Sequence, residues 1–447
     1  MKNLQTLISS EKKYMFNILD SIKVEIDGVK NPYDIPINDL FTMAARINKK
    51  RSFLFVSKVL GKHLPIEPEK ALAIAALLGV RYLESVDGLE FKKRKDFLSL
   101  LFDGGSYDSL PFIPEKINPL IIGFAETATA LGHGFFDCFQ RAEYFHTTRE
   151  DINGQAPVIT FEEEHSHATS HRCYIPIEMI SHKREIILID DELTTGKTAL
   201  NIIKSIHAAF PRQVYTVVSI LDWRSEEDQQ RFLRLEQDLG IKINVVSLIA
   251  GKVNIHSINE IESLTKITGT SNQKASIEVV QLDSFFTAST YVSKDQLLGV
   301  PFIKETGRFG LSSSENVAVQ GKITSAGHFL RQKREGKRTL CIGTGEFMYL
   351  PMKLAAEMGS EVYYQSTTRS PIHIQNVDGY GARFGVTFPN PEDEKITHFV
   401  YNIPPSHYDE LFVFMEREVS YIQLQPMLEE LKKLGFQTIK IVFCSGY

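Results

Sequence analysis

An acidic pair and a threonine–glycine loop follow one apolar stretch of the sequence. Residues 186–189 are Ile-Ile-Leu-Ile, Asp190 and Asp191 come next, and a helical pattern begins after a loop with Thr194, Thr195, Gly196, Lys197 and Thr198. Backbone N–H groups at a helix N-terminus hold a phosphate dianion, and threonine hydroxyls add donors. Adjacent carboxylates accept hydrogen bonds from the vicinal hydroxyls of a ribose. The stretch predicts a site for a phosphorylated ribose at the carboxyl edge of a parallel sheet.

The loop ends in Gly-Lys-Thr, which raises the alternative of an ATP-binding P-loop. A P-loop requires a second glycine five residues before Gly196, and that position is Asp191, so this alternative fails. The apolar run, the acidic pair and Thr-Thr-Gly-Lys-Thr instead resemble the 5-phosphoribosyl 1-pyrophosphate (PRPP) motif of type I phosphoribosyltransferases. The resemblance implies that both aspartates are catalytic and that residues 194–198 hold the 5′-phosphate. Mg²⁺ is also implied, with mostly indirect contacts to the aspartates, because a few arginines and amides cannot gather four phosphate charges.

In this family a strand, a turn and a helix upstream bind pyrophosphate, and residues 119–137 match that unit. Ala125, Glu126 and Thr127 occupy the turn, where small residues let backbone amides approach an anion. Glu126 would repel pyrophosphate without a metal between them, so it is either a metal-side or substrate-side group or a structural one. Arg149 ends the next strand, where the family places a basic residue that holds pyrophosphate.

A polar connection from about residue 151 to 171 stands where the family has its flexible catalytic loop. We assign His165 and His167 to catalysis there, as groups that protonate or hold the second substrate. A transition-metal cluster of His165, His167 and His171 with the glutamates at 162–164 is the alternative, since His-x-His suits a ligand pair on a strand.

Two segments are candidates for contact with the acceptor. The family builds a hood over the acceptor base upstream of its core, and the basic and polar residues there are Arg51, Ser57, Lys58 and Lys62. A plain basic surface element is the equal alternative for each of them. Asp222 and Arg224 flank the single tryptophan after the strand that follows the PRPP helix, at a position that resembles the floor of the family's site.

The C-terminal half contains a second copy of the pyrophosphate unit. Each copy has an apolar strand, Gly-x-x-Glu, an apolar helix, an aromatic strand and Thr-Thr-Arg, and the separation of Gly123 from Arg149 equals that of Gly343 from Arg369. Agreement in both pattern and register predicts an internal duplication. Residues 398–410 stand where the first half has its PRPP motif, without an acidic pair, so we expect no intact PRPP in the second copy.

The stretch "TTRSP" at residues 367–371 makes the resemblance specific. Together with "GFAETATALGH", "DDELTTGKTA" and "GEFMYLP", it resembles bacterial proteins in which a phosphoribosyltransferase domain precedes a TRSP domain. That family is associated with tellurite-resistance gene clusters and a nucleotide-like biosynthetic pathway. Because the glycine turn and the arginine survive in the second copy, we predict an anion site there, formed by Gly345, Glu346, Arg369 and Ser370.

The composition restricts the class of protein. The net charge is −5, with 50 basic and 55 acidic residues, so no global field favours nucleic acid or membranes. Four scattered cysteines and no long apolar run predict a soluble cytoplasmic protein. The expected fold class is α/β: an open, mainly parallel type I phosphoribosyltransferase sheet flanked by helices, plus a degenerate phosphoribosyltransferase-like domain. We expect a helical lead-in and hood at 1–65, the core at 66–255, a linker at 256–280 and the TRSP domain at 281–447.

The predicted function is Mg²⁺-dependent transfer of 5-phosphoribosyl from PRPP to an unknown small-molecule acceptor, nucleobase-like or another nucleophile. A PRPP-sensing regulator or scaffold without catalysis is the alternative, although no helix-turn-helix signature supports DNA binding. A homodimer or a complex with pathway enzymes stays open.

Overall fold

The computed structural model describes residues 13–47, 52–107, 111–162, 170–258 and 275–446. In these ranges the chain forms two mainly parallel sheets, each with helices packed on it, and three separate two-stranded hairpins. No helix within the described ranges is long and apolar enough to cross a membrane.

The N-terminal half supplies most of the first sheet and the hood. Its strands are β1 (Tyr14–Ile18), β2 (Ile22–Lys30), β3 (Phe41–Ala45), β4 (Phe53–Ser57), β5 (Leu120–Gly123), β6 (Glu143–His146), β7 (Ile159–Glu162), β8 (Ser170–Cys173), β9 (Ile186–Ile189), β10 (Glu192–Leu193), β11 (Val214–Asp222) and β12 (Lys242–Ile258). Its helices are α1 (Ile37–Leu40), α2 (Pro68–Tyr82, continued by a π-helical turn at Leu83–Asp87), α3 (Arg94–Asp103), α4 (Ala128–Phe136), α5 (Ile177–Ser181), α6 (Lys197–Ala209) and α7 (Glu226–Leu239).

The C-terminal half supplies the second sheet. Its strands are β13 (Ser276–Gln281), β14 (Leu311–Ser312), β15 (Thr339–Gly343), β16 (Val362–Ser366), β17 (Gly385–Asn390), β18 (Asp393–Tyr401), β19 (Glu410–Arg417) and β20 (Thr438–Ser445). Its helices are α8 (Ser313–Gln332), α9 (Tyr349–Glu357) and α10 (Tyr421–Lys432), with a 3₁₀ turn at Lys304–Thr306.

Four strands of each sheet follow the same order, which agrees with the predicted duplication: β11-β9-β5-β6 in the first sheet and β20-β19-β15-β16 in the second. The fifth strands differ, because β12 follows β11 in the chain whereas β13 precedes β15. In both copies the strand before the Gly-x-x-Glu turn is parallel to the strand that ends in Thr-Thr-Arg, as β5 is to β6 and β15 is to β16. The hairpin β7–β8 of the first copy has its counterpart in the hairpin β17–β18.

The glycine that ends each first strand is required by a close approach of the chain. A Cβ on Gly123 would lie 2.6 Å from the Ala128 carbonyl oxygen, and one on Gly343 would lie 2.5 Å from that of Phe347. In each copy a buried tyrosine on the next strand donates to a backbone carbonyl at the start of the helix, at 2.8 Å from Tyr144 and 3.0 Å from Tyr364. Identical local packing explains why both copies kept these positions.

The structure corrects the position of the second PRPP motif. Residues 398–410 are not its counterpart, because β18 belongs to the hairpin. The counterpart is β19: Gly343 pairs with Phe414 as Gly123 pairs with Ile189. Met415 and Glu416 therefore occupy the register of Asp190 and Asp191. The sequence suggested the wrong segment because both segments are apolar strands, and only the sheet order separates them.

Two other predictions are corrected by secondary structure. The lead-in at 1–65 is not helical: its described residues form β1 to β4 and the four-residue helix α1. Strands β1 and β2 extend the first sheet by antiparallel pairing of β2 with β12. The predicted linker at 256–280 includes most of β13, which pairs with β20 as the edge strand of the second sheet.

Each half of the chain lends a segment to the other half. Leu311 of β14 pairs with Tyr144 in the first sheet, and Ile66 forms a bridge with Tyr364 in the second. Between the sheets, helix α4 packs on helix α9 and the rings of His133 and Tyr349 stack at 3.6 Å. The buried core is continuous across this contact.

We expect Tyr349→Phe to lower the melting temperature. Its hydroxyl donates to the buried carboxylate of Asp137 and accepts a hydrogen bond from Gln320. Losing a hydrogen bond to a buried charged group costs about 1.5–3 kcal/mol. Differential scanning calorimetry measures the change, and Tyr421→Phe is the matched control because Tyr421 is 60% exposed. Equal shifts in the two variants would contradict the importance of this contact.

Candidate active site

The acidic pair and the phosphate loop lie at the carboxyl edge of the first sheet. Strand β9 is central, between β5 and β11, and its four residues are fully buried. The Asp190 N–H donates to the Val218 carbonyl at 3.0 Å and the Asp191 carbonyl accepts from Ile220 at 3.2 Å, so the neighbouring strand holds the backbone of both aspartates. Both side chains are partly exposed, as a contact with ribose hydroxyls requires.

The loop that follows enters helix α6 through a glycine. Gly196 has φ +72° and, as the N-cap residue of α6, contributes no capping side chain. A Cβ on Gly196 would lie 2.6 Å from the Phe232 ring, so glycine is required at this position. Thr194, Thr195, Lys197 and Thr198 are half-buried around the helix start, and the Lys197 N–H donates to Thr195 Oγ1 at 3.3 Å. A helix start that is entered through glycine is a position at which an anion can bind.

Asp222 and Arg224 bind each other, which corrects their assignment to the acceptor. The guanidinium of Arg224 donates from Nε and Nη2 to the two carboxylate oxygens of Asp222, both at 2.8 Å. Arg224 also stacks over the Phe232 ring at 4.3 Å, beneath Gly196. A buried, bidentate pair in this position supports the phosphate loop from below.

The hood hairpin β3–β4 covers a narrow cavity beside the acidic pair. Leu40, Phe55, Ser57 and Leu60 line its upper side, and the lower side is lined by Asp191, Glu192, Ile220 and Leu221. Trp223 stacks against Phe55 with ring centroids 5.3 Å apart and fixes the orientation of that ring. Phe55 was not predicted as a site residue, since an aromatic residue in a strand gives no signal distinct from core packing.

The structure corrects the assignment of Lys58 to acceptor binding. Its Nζ donates to the Asn38 carbonyl at 2.7 Å, and the residue lines a separate surface pocket with Asp39 and Lys70. Its neighbour Ser57 lines the acceptor-side cavity instead. Arg51 lies outside the described residues.

The predicted pyrophosphate turn is hydrogen-bonded to the Thr-Thr-Arg segment that follows strand β6. The Ala125 N–H donates to Thr147 Oγ1 at 2.9 Å, and Thr147 Oγ1 lies 2.7 Å from His171 Nδ1. Thr127 is buried as the residue before helix α4, and Glu126 is 8% exposed. Thr147 was missed as a site residue, although its place in the repeated Thr-Thr-Arg was a usable signal.

The predicted catalytic histidines His165 and His167 lie outside the described residues, as do Glu163 and Glu164. His171 is described: it is buried and stacks on Phe161 at 4.9 Å. Within the described residues no group of three or more His, Cys, Asp or Glu side chains is placed to hold a metal ion.

Each of the two Gly-x-x-Glu turns contacts the Thr-Thr-Arg segment of the other half of the chain. Glu346 accepts hydrogen bonds from the Thr148 hydroxyl at 2.6 Å and the Arg149 N–H at 2.7 Å, both in the first half. Conversely, Arg369 Nε lies 3.6 Å from Glu126 Oε1. The arginine beside Glu126 is therefore Arg369, and both Arg149 and Arg369 line one cavity with Gly345 and Glu346. The assignment of Arg149 to pyrophosphate stays a prediction.

Buried ion pairs occupy the second copy of the site. Arg308 donates to both carboxylate oxygens of Glu416, at 3.0 and 2.7 Å. Arg417 donates to Glu150 of the first half at 2.9 Å and to Glu392 at 2.9 Å. Both arginines are 1% exposed, so their charges are neutralised within the protein.

Three of the four residues of the predicted second anion site, Gly345, Glu346 and Arg369, line one cavity, and Ser370 is not among its lining residues. The Gly345 N–H donates to Thr367 Oγ1, the Ser370 N–H donates to Thr368 Oγ1, and the Glu346 carboxylate faces the first half. The start of helix α10 is capped by Ser420, whose hydroxyl accepts from the Gln423 N–H. Arg369 is paired with Glu126 of the first half, so anion binding at this second site stays a prediction.

The arrangement of an acidic pair, a glycine-entered helix and a Gly-x-x-Glu turn on adjacent parallel strands is that expected of a phosphoribosyltransferase. A family model described as "Phosphoribosyl transferase" matches residues 40–252, and one described as "TRSP domain C terminus to PRTase_2" matches residues 305–431. The chain therefore belongs to the phosphoribosyltransferases that carry a TRSP domain.

Solved structures that are similar to this chain include phosphoribosyltransferases of low identity. The adenine phosphoribosyltransferase of Trypanosoma brucei is 14% identical, with a TM-score of 0.30, covering 47% of this chain and 76% of that chain. That of Leishmania tarentolae is 16% identical, with a TM-score of 0.27, 47% and 84% covered. The orotate phosphoribosyltransferase of Mycobacterium tuberculosis is 10% identical, with a TM-score of 0.24, 47% and 90% covered. Similarities at this level carry no argument about substrate. A comparison with curated proteins found no match.

We expect Glu346→Gln to destabilise the protein at neutral pH and to do so less in acid. Burial alone would raise the pKa of Glu346, but Arg308 and the hydrogen bonds from Thr148 and Arg149 lower it from 4.5 to about 2. A folded-state pKa below the unfolded one gives stability that is present above pH 4.5 and lost as the pH falls toward 2. The shift corresponds to about 3 kcal/mol.

Melting temperatures of the wild type and Glu346→Gln between pH 7 and pH 3 measure this effect. The difference between the two proteins should be constant above pH 5 and narrow below it. Glu278→Gln is the control, since Glu278 is exposed on the edge strand β13. A difference that does not depend on pH would mean that the Glu346 carboxylate is not the stabilising group.

Proposed function

We propose that the enzyme transfers the 5-phosphoribosyl group of PRPP to a small-molecule acceptor and releases pyrophosphate. One observation carries the proposal: β5 and β9 are adjacent and in register, so the turn after Gly123 and the acidic pair after Ile189 start from the same edge. The Phe124 N–H donates to the Ile189 carbonyl at 3.2 Å and joins the two segments. A ligand with a phosphate at one end and a pyrophosphate at the other fits this separation of two anion-binding units around a ribose-binding pair.

In the proposed reaction the acceptor nucleophile attacks C1 of the ribose. The C1–O bond breaks, and pyrophosphate leaves with the electron pair. The loop at 194–198 holds the 5′-phosphate, Asp190 and Asp191 hold the ribose hydroxyls, and the amides of Glu126 and Thr127 hold the pyrophosphate. These contacts fix C1 between the leaving group and the cavity under the hood, so transfer gains from orientation.

The donor set fits Mg²⁺ as the cofactor. Carboxylate oxygens are the ligands that Mg²⁺ prefers, and it usually takes one or two of them together with substrate phosphates and water. Asp190 and Asp191 are the partly exposed carboxylates at this edge. When bound, the ion would neutralise charge on the pyrophosphate.

The hood places Phe55 and Ser57 opposite Asp191 and Glu192, and this aromatic residue favours a flat acceptor such as a nucleobase. The cavity between them has a volume of about 20 Å³, which is smaller than a nucleobase. Phe55 is held against Trp223, and a rigid aromatic ring suits contact with a planar heterocycle. On the family resemblance, we place the reaction in the nucleotide-like pathway of tellurite-resistance clusters, and on the scattered cysteines we place it in the cytoplasm.

We expect the double variant Asp190→Asn, Asp191→Asn to lose PRPP binding. Each aspartate that grips a ribose hydroxyl contributes about 1.5–3 kcal/mol, so affinity should fall at least a hundredfold. Isothermal titration with PRPP and Mg²⁺ measures it, with Asp283→Asn as a control on the far side of the linker. Equal affinities in the double variant and the wild type would remove both aspartates from the site.

A screen of nucleobases and small heterocyclic amines, with release of pyrophosphate as the readout, tests catalysis. Turnover with a planar base supports the acceptor class. Binding of PRPP without turnover of any acceptor would favour the alternative of a PRPP-sensing regulator.

A further inference from the structure

The segment that gives the TRSP domain its name lies between the two sides of the N-terminal site. The Thr368 N–H donates to the Phe399 carbonyl inside the C-terminal half, at 2.9 Å. The next residue, Arg369, reaches the pyrophosphate turn, with Nε 3.6 Å from Glu126 Oε1. Two residues later the Pro371 carbonyl accepts from the Ile47 N–H at 3.3 Å, next to the hood strand β3. The segment therefore contacts both the leaving-group side and the hood.

Residues after this segment fasten the hood itself. The His373 N–H donates to the Ala45 carbonyl at 2.9 Å, and the Gly381 N–H donates to the Met43 carbonyl at 3.0 Å. The Tyr380 hydroxyl accepts from the Ala45 N–H at 3.1 Å. A Cβ on Gly381 would lie 2.8 Å from the Met43 carbonyl oxygen, so this approach needs glycine. Strand β4, which lines the cavity beside Asp191, pairs with this fastened strand.

The charge at the pyrophosphate turn requires a cation from outside the turn. Glu126 is buried, and its Oε1 has no hydrogen-bond partner among the described residues. A carboxylate in this position repels an incoming pyrophosphate unless a positive group accompanies it. Arg369 is the cation placed beside it, and its side chain is 26% exposed.

The guanidinium of Arg369 still has donors to offer. Within the part of the chain that the structure describes, it makes the ion pair with Glu126 and no hydrogen bond. Arg308 and Arg417, which line a cavity with Arg149 and Arg369, are held by carboxylates and 1% exposed. An arginine fork with open N–H groups at the edge of an anion-binding turn suits a pyrophosphate oxygen pair.

We propose that Arg369 of the TRSP domain binds the pyrophosphate group of the substrate in the N-terminal site. The C-terminal domain thus supplies a substrate-binding residue to a site that the phosphoribosyltransferase domain does not complete alone. Glu126 positions the guanidinium from one side, and the hydrogen bonds of the residues after Pro371 hold the same segment against the hood. The inference rests on the proposed function, since it assigns a residue to the leaving-group side of that reaction.

Titrations with two partial ligands test the proposal on the full chain. Ribose 5-phosphate occupies the phosphate loop and the acidic pair, and pyrophosphate with Mg²⁺ occupies the turn. We expect Arg369→Gln to weaken pyrophosphate and PRPP binding about tenfold or more, the loss typical of one charged hydrogen bond. Binding of ribose 5-phosphate should stay within twofold of the wild type. Arg369→Lys should recover part of the pyrophosphate affinity, because it keeps the charge and loses the fork.

Arg383→Gln is the matched control: this arginine belongs to the same domain, is bonded to Asn376 and lies outside the site. Arg149→Gln is the discriminating comparison. If Arg149→Gln weakens pyrophosphate binding and Arg369→Gln does not, the assignment is overturned. If Arg369→Gln does not fold, Arg369→Lys is measured instead. An unchanged pyrophosphate affinity in Arg369→Lys would show that the two N–H groups of the guanidinium do not bind pyrophosphate, and would overturn the assignment. A wild type that binds neither partial ligand would overturn the proposed function itself, which is a separate result.

Discussion

Two carboxylates that cross between the halves of the chain hold this molecule together. Glu346 is buried beside the first half and finds its donors there, in Thr148 and the backbone of Arg149. Glu126 is buried in the first turn, with Arg369 of the second half beside it. A buried carboxylate without donors is costly, so Glu346 depends on the first half for its hydrogen bonds, and Glu126 depends on the charge of Arg369. The reciprocal strand segments at Leu311 and Ile66 follow the same rule at the edges of the sheets.

The same geometry explains how the two copies came to differ. The first copy enters the helix after the acidic pair through Gly196, whereas the second has a capping serine at its helix start. In the second copy Glu416 stands in the register of Asp191, but its carboxylate binds Arg308. The position that carries the proposed ribose-binding carboxylate in the first copy thus carries an internal ion pair in the second.

The sequence predicted what is local and missed what is formed between distant segments. The acidic pair, the phosphate loop and the two Gly-x-x-Glu turns each lie within a short stretch, and the strand–turn–helix pattern places them without knowledge of the rest. The true counterpart of the PRPP strand was missed because the choice between β18 and β19 depends on hydrogen bonds between strands. Asp222 and Arg224 were given to the acceptor because their bidentate contact depends on side-chain geometry that spacing does not reveal.

The sequence also did not predict that Arg369 of the second copy lies beside the turn of the first copy. Thr-Thr-Arg occurs once in each copy, and the natural assumption is that each arginine serves the copy that carries it. The packing of α4 on α9 brings the two turns together, so that Arg369 faces Glu126. That packing depends on a long-range contact between His133 and Tyr349, residues that do not correspond in the repeat.

Joining the two copies in one chain has a consequence for how the site behaves in solution. In a symmetric dimer, a residue that one subunit contributes to the site of the other is removed when the dimer dissociates. The fraction of complete sites therefore falls on dilution. Here the two copies are covalently connected, so the segment that carries Arg369 has a high effective concentration beside the first copy at any protein concentration. The covalent link also removes the requirement for symmetry. The residues of the second copy can therefore change, as long as Arg369 and the residues at 373–381 that bind the hood are retained.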